Sequence, residues 1–359
     1  MKLPKPVTIK VERYIGGLSR FKKINSPIKL SANESALGPS PKAIKAFKKI
    51  EGKIFNYPES ESTSLRNVIA KKFNIKFNRI ICGSGSDQIF DLICKSFLKN
   101  GDEVVVTEFG FIMHRIYADL HGAKVISARE KNFKASVKEI LKKVTNKTKI
   151  VFIANPNNPT GTYLSKGEMI SLRKKLRTNI LLVVDDAYCE FMNKKDFTSG
   201  LDLFKNSKNV LITRTFSKVY GLAGLRLGWG YASKKIIESM HQVKPPFNVN
   251  SAALAAGAEA IKDNTWTKRA IKYNAEWAKK IFDVLKKNKI IANKPTANFF
   301  LLNFDKVKIN SDQAFKKLAN KRLILRKMNQ YKISNSLRLT IGNKNANKLF
   351  IQTIRNILK

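Results

Sequence analysis

Short apolar runs alternate with amphipathic stretches from about residue 60 to 245. The runs are RIIC (79–82), EVVVT (103–107), KVISA (124–128), KIVFIA (149–154), ILLVVD (180–185) and VLIT (210–213). Each is rich in Val, Ile or Leu and too short for a helix, which predicts buried strands. Between them, Ser86–Phe97 sets Ile89, Phe90, Ile93 and Phe97 on one face at helical spacing. Strand and helix in alternation predict an α/β fold whose sheet is mostly parallel and buried. Past residue 295, the runs FFLLNF, RLILR and SLRLTIG interleave with helical patterns at about 311–320 and 344–358. Together with the N-terminal segment they predict a smaller second α/β unit. In open sheets of this kind ligands sit beyond the carboxyl ends of the strands.

Composition narrows the picture. A chain of 359 residues exceeds what one core usually serves, so two domains are expected. No apolar run approaches the ~20 residues of a membrane span, and the opening MKLPKPVTIKVERY lacks the apolar core of a signal peptide. The expected location is cytoplasmic, without a membrane partner. Cys82, Cys94 and Cys189 are odd in number and have no CxxC pair, which suits buried thiols in a reducing compartment. His114, His121 and His241 lack zinc-like spacing, so no metal is expected. Lys+Arg 69 against Asp+Glu 26 gives a formal charge of +43. Such an excess can serve nucleic acid. The lysines are scattered, however, and no nucleic-acid motif accompanies them, so no nucleic-acid partner is expected. A positive field would still draw anionic substrates.

Four segments carry candidate chemistry. In Thr213–Trp229 a strand ends in hydroxyls, followed by a lysine and a glycine-punctuated loop. Thr215 and Ser217 can hydrogen-bond a phosphate, Arg226 can grip it with a planar fork, and Lys218 can condense with an aldehyde. Taken alone, Lys218 could be a surface lysine; the ordered hydroxyls, glycines and arginine argue otherwise. In Val183–Tyr188, Asp185 ends an apolar strand, where a carboxylate needs a partner such as a pyridinium nitrogen. Tyr188 could donate to a ring oxygen. A helix cap explains Asp185-Asp186 equally well at this stage. Asn155–Gly161 (NPNNPTG) reads as a turn, or as a loop placing Asn158 on the same ring oxygen. Cys82–Asp87 (CGSGSD) runs from strand to helix; its amides suit a phosphate or merely an ordinary N-cap. It lacks the third glycine of a dinucleotide fingerprint.

Together these segments resemble the fold-type-I pyridoxal-phosphate aminotransferases, and more narrowly the histidinol-phosphate aminotransferases. The narrower resemblance rests on Leu30–Pro41 (LSANESALGPSP), Tyr57-Pro58 with Ser64-Leu65-Arg66, Thr107–Phe111, Pro246–Asn250 and Ser336–Gly342. It runs from about Tyr14 to Ile354. It implies a large domain at 40–246 with a mostly parallel seven-stranded sheet. A small α/β domain would come from both termini, 1–39 and 247–359. It further implies a homodimer using pyridoxal 5'-phosphate. Lys218 would carry the cofactor as an imine and move the substrate proton, and Asp185, Tyr188 and Asn158 would contact its ring. Gly85, Ser86, Asp87, Thr215, Ser217 and Arg226 would hold its phosphate end, with Phe111 stacked on the ring. Tyr57 would reach the phosphate of the neighbouring subunit's cofactor. Arg338 would bind the carboxylate of glutamate and Arg326 the distal anion, with Tyr14 and Asn33 lining the substrate pocket.

The implied reaction is ping-pong transfer of the amino group between glutamate/2-oxoglutarate and histidinol phosphate, in histidine biosynthesis. An aromatic amino-acid aminotransferase and a phospho-amino-acid decarboxylase stay open on the same frame. The departures from the family pattern are Ile15-Gly-Gly after Tyr14, His114 where tyrosine is common, and Ser35-Ala36; all three are expected at the pocket rim.

Overall fold

The computed structural model describes residues 11–18, 25–290 and 294–358. Residues 1–10, most of the stretch read for a signal peptide, lie outside that range. The strands in chain order are β1 (Ile28–Leu30), β2 (Ile80–Gly83), β3 (Glu103–Thr107), β4 (Lys124–Ala128), β5 (Thr148–Ala154) and β6 (Leu181–Asp185). They continue with β7 (Val210–Thr215), β8 (Gly228–Tyr231), β9 (Phe299–Asn303), β10 (Leu323–Lys327) and β11 (Ser336–Thr340). Seven of them form one sheet in the order β2-β8-β7-β6-β5-β3-β4, in which every pairing except those of β8 is parallel. The expected seven-stranded, mostly parallel sheet of an α/β fold is therefore present.

One strand departs from the sequence reading. Gly228–Tyr231, expected within a glycine-punctuated loop, is β8, wedged antiparallel between β2 and β7. Trp229 and Tyr231 point into one apolar layer of the sheet. On the other side a Cβ at Gly230 would lie 2.9 Å from Ile89 Cγ2. At Gly228 it would lie 2.3 Å from the Ser86 amide nitrogen. Glycine is required because helix Gly85–Phe97 crosses close over β8. The same glycines lower strand propensity and mask the strand.

Two apolar layers cover the faces of this sheet. One holds Val105, Val151, Val184 and Ile212 with Trp229; the other holds Val104, Val106, Phe152 and Val183 with Phe90. The second sheet, β1-β10-β11-β9, backs onto its own core of Ile281, Phe300, Phe315, Leu325 and Phe350. Helix Ser251–Lys262 packs with the larger core through Ala253 and Ala256, and helix Asn264–Lys287 hands the chain from one core to the other. Smaller clusters join the two, one through Ile112, Ile116, Leu301 and Tyr331 and one through Tyr188 and Phe299. Among the described residues no helix is long and apolar enough to cross a membrane. Cys82, Cys94 and Cys189 are buried free thiols.

Candidate active site

The parallel strands of the large sheet end side by side, facing β10 and β11 in the middle of the small sheet. A cavity of about 600 Å³ lies between them. Its lining includes Tyr14, Asn33, Ser86, Asp87, Phe111, Asn158, Asp185, Tyr188, Thr215, Ser217, Lys218, Arg226, Arg326 and Arg338. Nearly every residue singled out from the sequence is thus brought to one place. Tyr57 and Gly85 take no part in this lining, and Tyr57 is 81% exposed. Gly85 lies beneath the floor at φ +80°, where a Cβ would meet Arg226 Nη2 at 2.6 Å.

Register fixes the centre of the site. Asp185 is paired with Ala154 on one side and Thr213 on the other. Its Oδ1 accepts from the Ala187 amide at 3.2 Å and from Thr213 Oγ1 at 3.2 Å. Oδ2 receives no hydrogen bond among the described residues, and His114 Nε2 lies 3.7 Å from it. Asp186 points to the opposite face, where its oxygens accept from the Gly200 and Leu201 amides and lie 3.6 Å from Arg214. Asp186 thus serves the first amides of helix Gly200–Phe204, while Asp185 faces the cavity. Period-two alternation separates them.

His114 does not sit at the pocket rim, where it was expected. It is buried beneath Asp185, stacked on Phe152 at 4.7 Å and edge-on to Phe90 and Phe111. Its Nε2 lacks a hydrogen-bond partner among the described residues. Helical spacing from Phe111, which caps helix Ile112–Leu120, turns it inward.

Lys218 follows β7, half-buried, and its Nζ donates to the Ala32 carbonyl at 3.3 Å. Burial pushes its amine down to about 8, and the Arg338 guanidinium acts in the same direction against Asp87. The Tyr188 ring lies 5.7 Å below Nζ. Its hydroxyl accepts from Asn33 Nδ2 at 2.9 Å, and burial pushes the phenol up to about 12. Asn33 is locked by Thr340, so its side chain serves Tyr188 at the pocket wall.

At one end of the cavity helix Gly85–Phe97 begins, with the Ser86, Thr215 and Ser217 side chains beside its amides. Arg226 reaches in from φ +52°, donating to Asp87 Oδ2 at 2.8 Å and Ser217 Oγ at 3.4 Å. A helix start, three hydroxyls and an arginine make an anion cradle.

At the other end stand two arginines. Arg326 on β10 and Arg338 on β11 are direct cross-strand partners, so both side chains leave the same face. They are 5% and 4% exposed, and neither pairs with a carboxylate among the described residues. Arg338 donates to Asn158 Oδ1 and, at 2.9 Å, to the Ser31 carbonyl, leaving Nε unpartnered. Arg326 donates to the Ile15 carbonyl at 2.8 Å and to the Tyr14 hydroxyl at 3.4 Å. Two buried like charges face to face are unfavourable alone. The arrangement is suited to a bound anion.

The cavity also uses residues the sequence reading passed over. Tyr331, in the β10–β11 connection, and Tyr117 and Met113, on helix Ile112–Leu120, line it, as do Lys29 and Glu34, an ion pair of 2.8 Å. Glu34 lies inside the quoted LSANESALGPSP segment; Tyr331 had no periodic signal to mark it. The fit to a phosphorylated pyridine aldehyde is close. A phosphate-sized cradle, an amine of lowered basicity and a carboxylate oxygen free of donors occur in one cavity.

Comparison with known proteins agrees. The family model "Aminotransferase class I and II" matches residues 25–354. The chain is 54% identical over 358 residues to histidinol-phosphate aminotransferase of Pelagibacter ubique (strain HTCC1062), covering 99% of each. It is 38% identical to that of Maricaulis maris (strain MCS10), again covering 99% of each. Its fold is similar to the crystal structure of histidinol-phosphate aminotransferase from Sinorhizobium meliloti in complex with pyridoxal-5'-phosphate, with a TM-score of 0.84 and 21% identity. That likeness covers 95% of this chain and 99% of the other.

Proposed function

The chain belongs to the histidinol-phosphate aminotransferase family within aminotransferase class I and II, and from that premise we propose that it transfers the amino group between glutamate/2-oxoglutarate and histidinol phosphate. It is a pyridoxal-phosphate enzyme. When bound, pyridoxal phosphate supplies an aldehyde for the amine and an electron-withdrawing ring. Lys218 would hold it through Nζ, and Asp185 Oδ2 would keep the ring nitrogen protonated. Tyr188 and Asn158 would orient the ring oxygen, and Phe111 would cover the ring face. Ser86, Thr215, Ser217 and Arg226 would hold the phosphate, with Gly85 giving Arg226 room. An amine at about 8 accepts and returns a proton near neutral pH more readily than an ordinary lysine.

The observation that carries the substrate reading is the buried Arg326–Arg338 pair, which has no carboxylate partner among the described residues. Glutamate brings two carboxylates and histidinol phosphate brings a phosphate, so each half-reaction can supply the missing anion. The homodimer is part of the same proposal. Ile54, Phe55 and Tyr57 are 79%, 83% and 81% exposed in one short segment, which suits a surface covered by a second copy. A cytoplasmic location fits three buried free thiols.

The test adds glutamate, histidinol phosphate, phenylalanine and tyrosine separately to the purified holoenzyme and follows its visible absorption. Rapid loss of the visible band with the first two and slow loss with the aromatics is expected. Equal rates with the aromatics would make it a broad aromatic aminotransferase. Carbon dioxide release without a need for 2-oxoglutarate would make it a decarboxylase.

A further inference from the structure

We infer that Phe247 is a positioning residue for Tyr57, holding it where it reaches the neighbouring subunit's site. The inference rests on the shared-site homodimer proposed above. Within its own subunit Tyr57 has almost no cover. Its ring lies flat on Phe247, with centroids 4.5 Å apart and planes 17° apart. Phe247 is itself 42% exposed, so the pair is no part of an interior core.

Phe247 has φ +53°, a backbone conformation that a bulky side chain adopts only when its surroundings enforce it. The surroundings do. Asn248 Nδ2 donates to the Cys82 carbonyl at 3.1 Å and to Gln88 Oε1 at 2.7 Å. The Asn248 carbonyl accepts from Ser84 Oγ, and the Ser84 amide donates to Gln88 Oε1 at 2.8 Å. Phe247 is thereby bolted to the strand-to-helix turn that begins the anion cradle. On its other side Lys244 Nζ donates to the Ser60 carbonyl at 3.1 Å, and Arg66 Nη1 donates to the Glu61 carbonyl at 3.2 Å. The chain just after Tyr57 is therefore fixed to the same assembly. A turn serving one subunit's cofactor and a tyrosine lent to the partner's cofactor share one support. The strained phenylalanine is the joint between them.

Hybrid dimers of two differently tagged chains separate an effect on the partner from an effect within the subunit. Lys218→Ala silences the visible absorption of one subunit, so retention of pyridoxal phosphate through gel filtration reports on the other alone. In the first hybrid, Phe247→Ala lies on the Lys218→Ala chain, which lends Tyr57 to the intact site. Cofactor should be held roughly two- to tenfold more weakly, the range a stacked aromatic pair supplies. In the second hybrid, Phe247→Ala lies on the chain that keeps Lys218, and retention should be native. Phe247→Tyr in the first hybrid should restore retention, and Phe247→Gly, which relieves the backbone, should not. Native retention in both hybrids, loss only in the second, or rescue by glycine would each overturn the inference. Tyr57→Phe placed in the same two hybrids tests the underlying reading. If it too causes no loss in the first hybrid, the shared site falls; if it does while Phe247→Ala does not, only this inference falls.

Discussion

Replacing Arg338 by glutamine isolates the anion-binding half of the site. Arg338 is 4% exposed, spends one donor on Asn158 and one on the Ser31 carbonyl, and leaves Nε without a partner among the described residues. A substrate carboxylate held by two charge-assisted bonds gains ~3–6 kcal/mol, and one neutral amide returns ~0.5–1.5 kcal/mol of it. The net loss of about 1.5–5.5 kcal/mol corresponds to a roughly 10- to 10,000-fold fall in kcat/KM for glutamate. Stability should change far less. Losing the bond to Ser31 costs about 1–3 kcal/mol, but removing a buried cation opposite Arg326 gives part of that back.

The same substitution carries a second, independent signal. Arg338 is the charge that, after burial, most depresses the Lys218 amine. Without it the amine should titrate above about 8, though still below 10.5 because burial persists. Single-turnover reaction with glutamate gives the first quantity. The pH dependence of pyridoxal-phosphate uptake by the apoprotein gives the second, because the neutral amine is the nucleophile. A fall of less than about threefold in kcat/KM, smaller than one hydrogen bond typically supplies, would refute the assignment of Arg338 to the substrate anion. An unmoved uptake profile would remove its influence on Lys218.

Two further outcomes follow from local geometry. The folded state releases the Lys218 proton near pH 8, whereas the unfolded chain keeps it to about 10.5, so the cost to folding is absent above 10.5 and complete below 8. Lys218→Met should therefore stabilise the apoprotein at pH 7 by about 1–3 kcal/mol, a range discounted because the side chain is partly exposed. The gain should vanish toward pH 10.5; thermal melts across pH measure it, and a pH-independent gain would contradict the titration. Gly228→Ala should cost about 1–3 kcal/mol or more and loosen cofactor retention, because its Cβ would press on the Ser86 amide at 2.3 Å. Gly224→Ala, with nothing within 4 Å, is the control that should melt like the parent.

The parts of the site legible in the sequence are those where a strand's apolar run stops at a polar residue. KIVFIA ends at Asn155 and ILLVVD at Asp185, while VLIT runs on to Thr215 and Lys218. Because the sheet is parallel, those stops fall along one edge, and the chain order of the motifs becomes their arrangement in space. The turn reading of NPNNPTG and its functional reading were also not rivals. The loop is pinned by Asn155 to Leu164 and by Asn157 to the Phe109 carbonyl, which leaves Asn158 facing the cavity.

What the sequence hid depends on contacts between distant segments. β8 obeys a period of two, Gly-Trp-Gly-Tyr, but its small residues are small because a helix crosses them, and no local rule announces that crossing. His114 looked like a rim substitution because its neighbours in the chain are at the rim; one helical turn beyond Phe111 it lies behind Asp185 instead. Asp185 and Asp186 make the point most sharply. Two identical residues in sequence take opposite faces of a strand end. One keeps a carboxylate oxygen free of donors toward the cavity, and the other spends both oxygens on the Gly200 and Leu201 amides. One aspartate cannot both hold those amides and face the cavity, but a strand's alternation lets one dipeptide do both. Among the described residues nothing donates to Asp185 Oδ2 on the cavity side, and a protonated ring nitrogen would supply that donor. Asp185→Asn should therefore narrow the difference in melting temperature between apo- and holoenzyme, and an unchanged difference would refute the pairing.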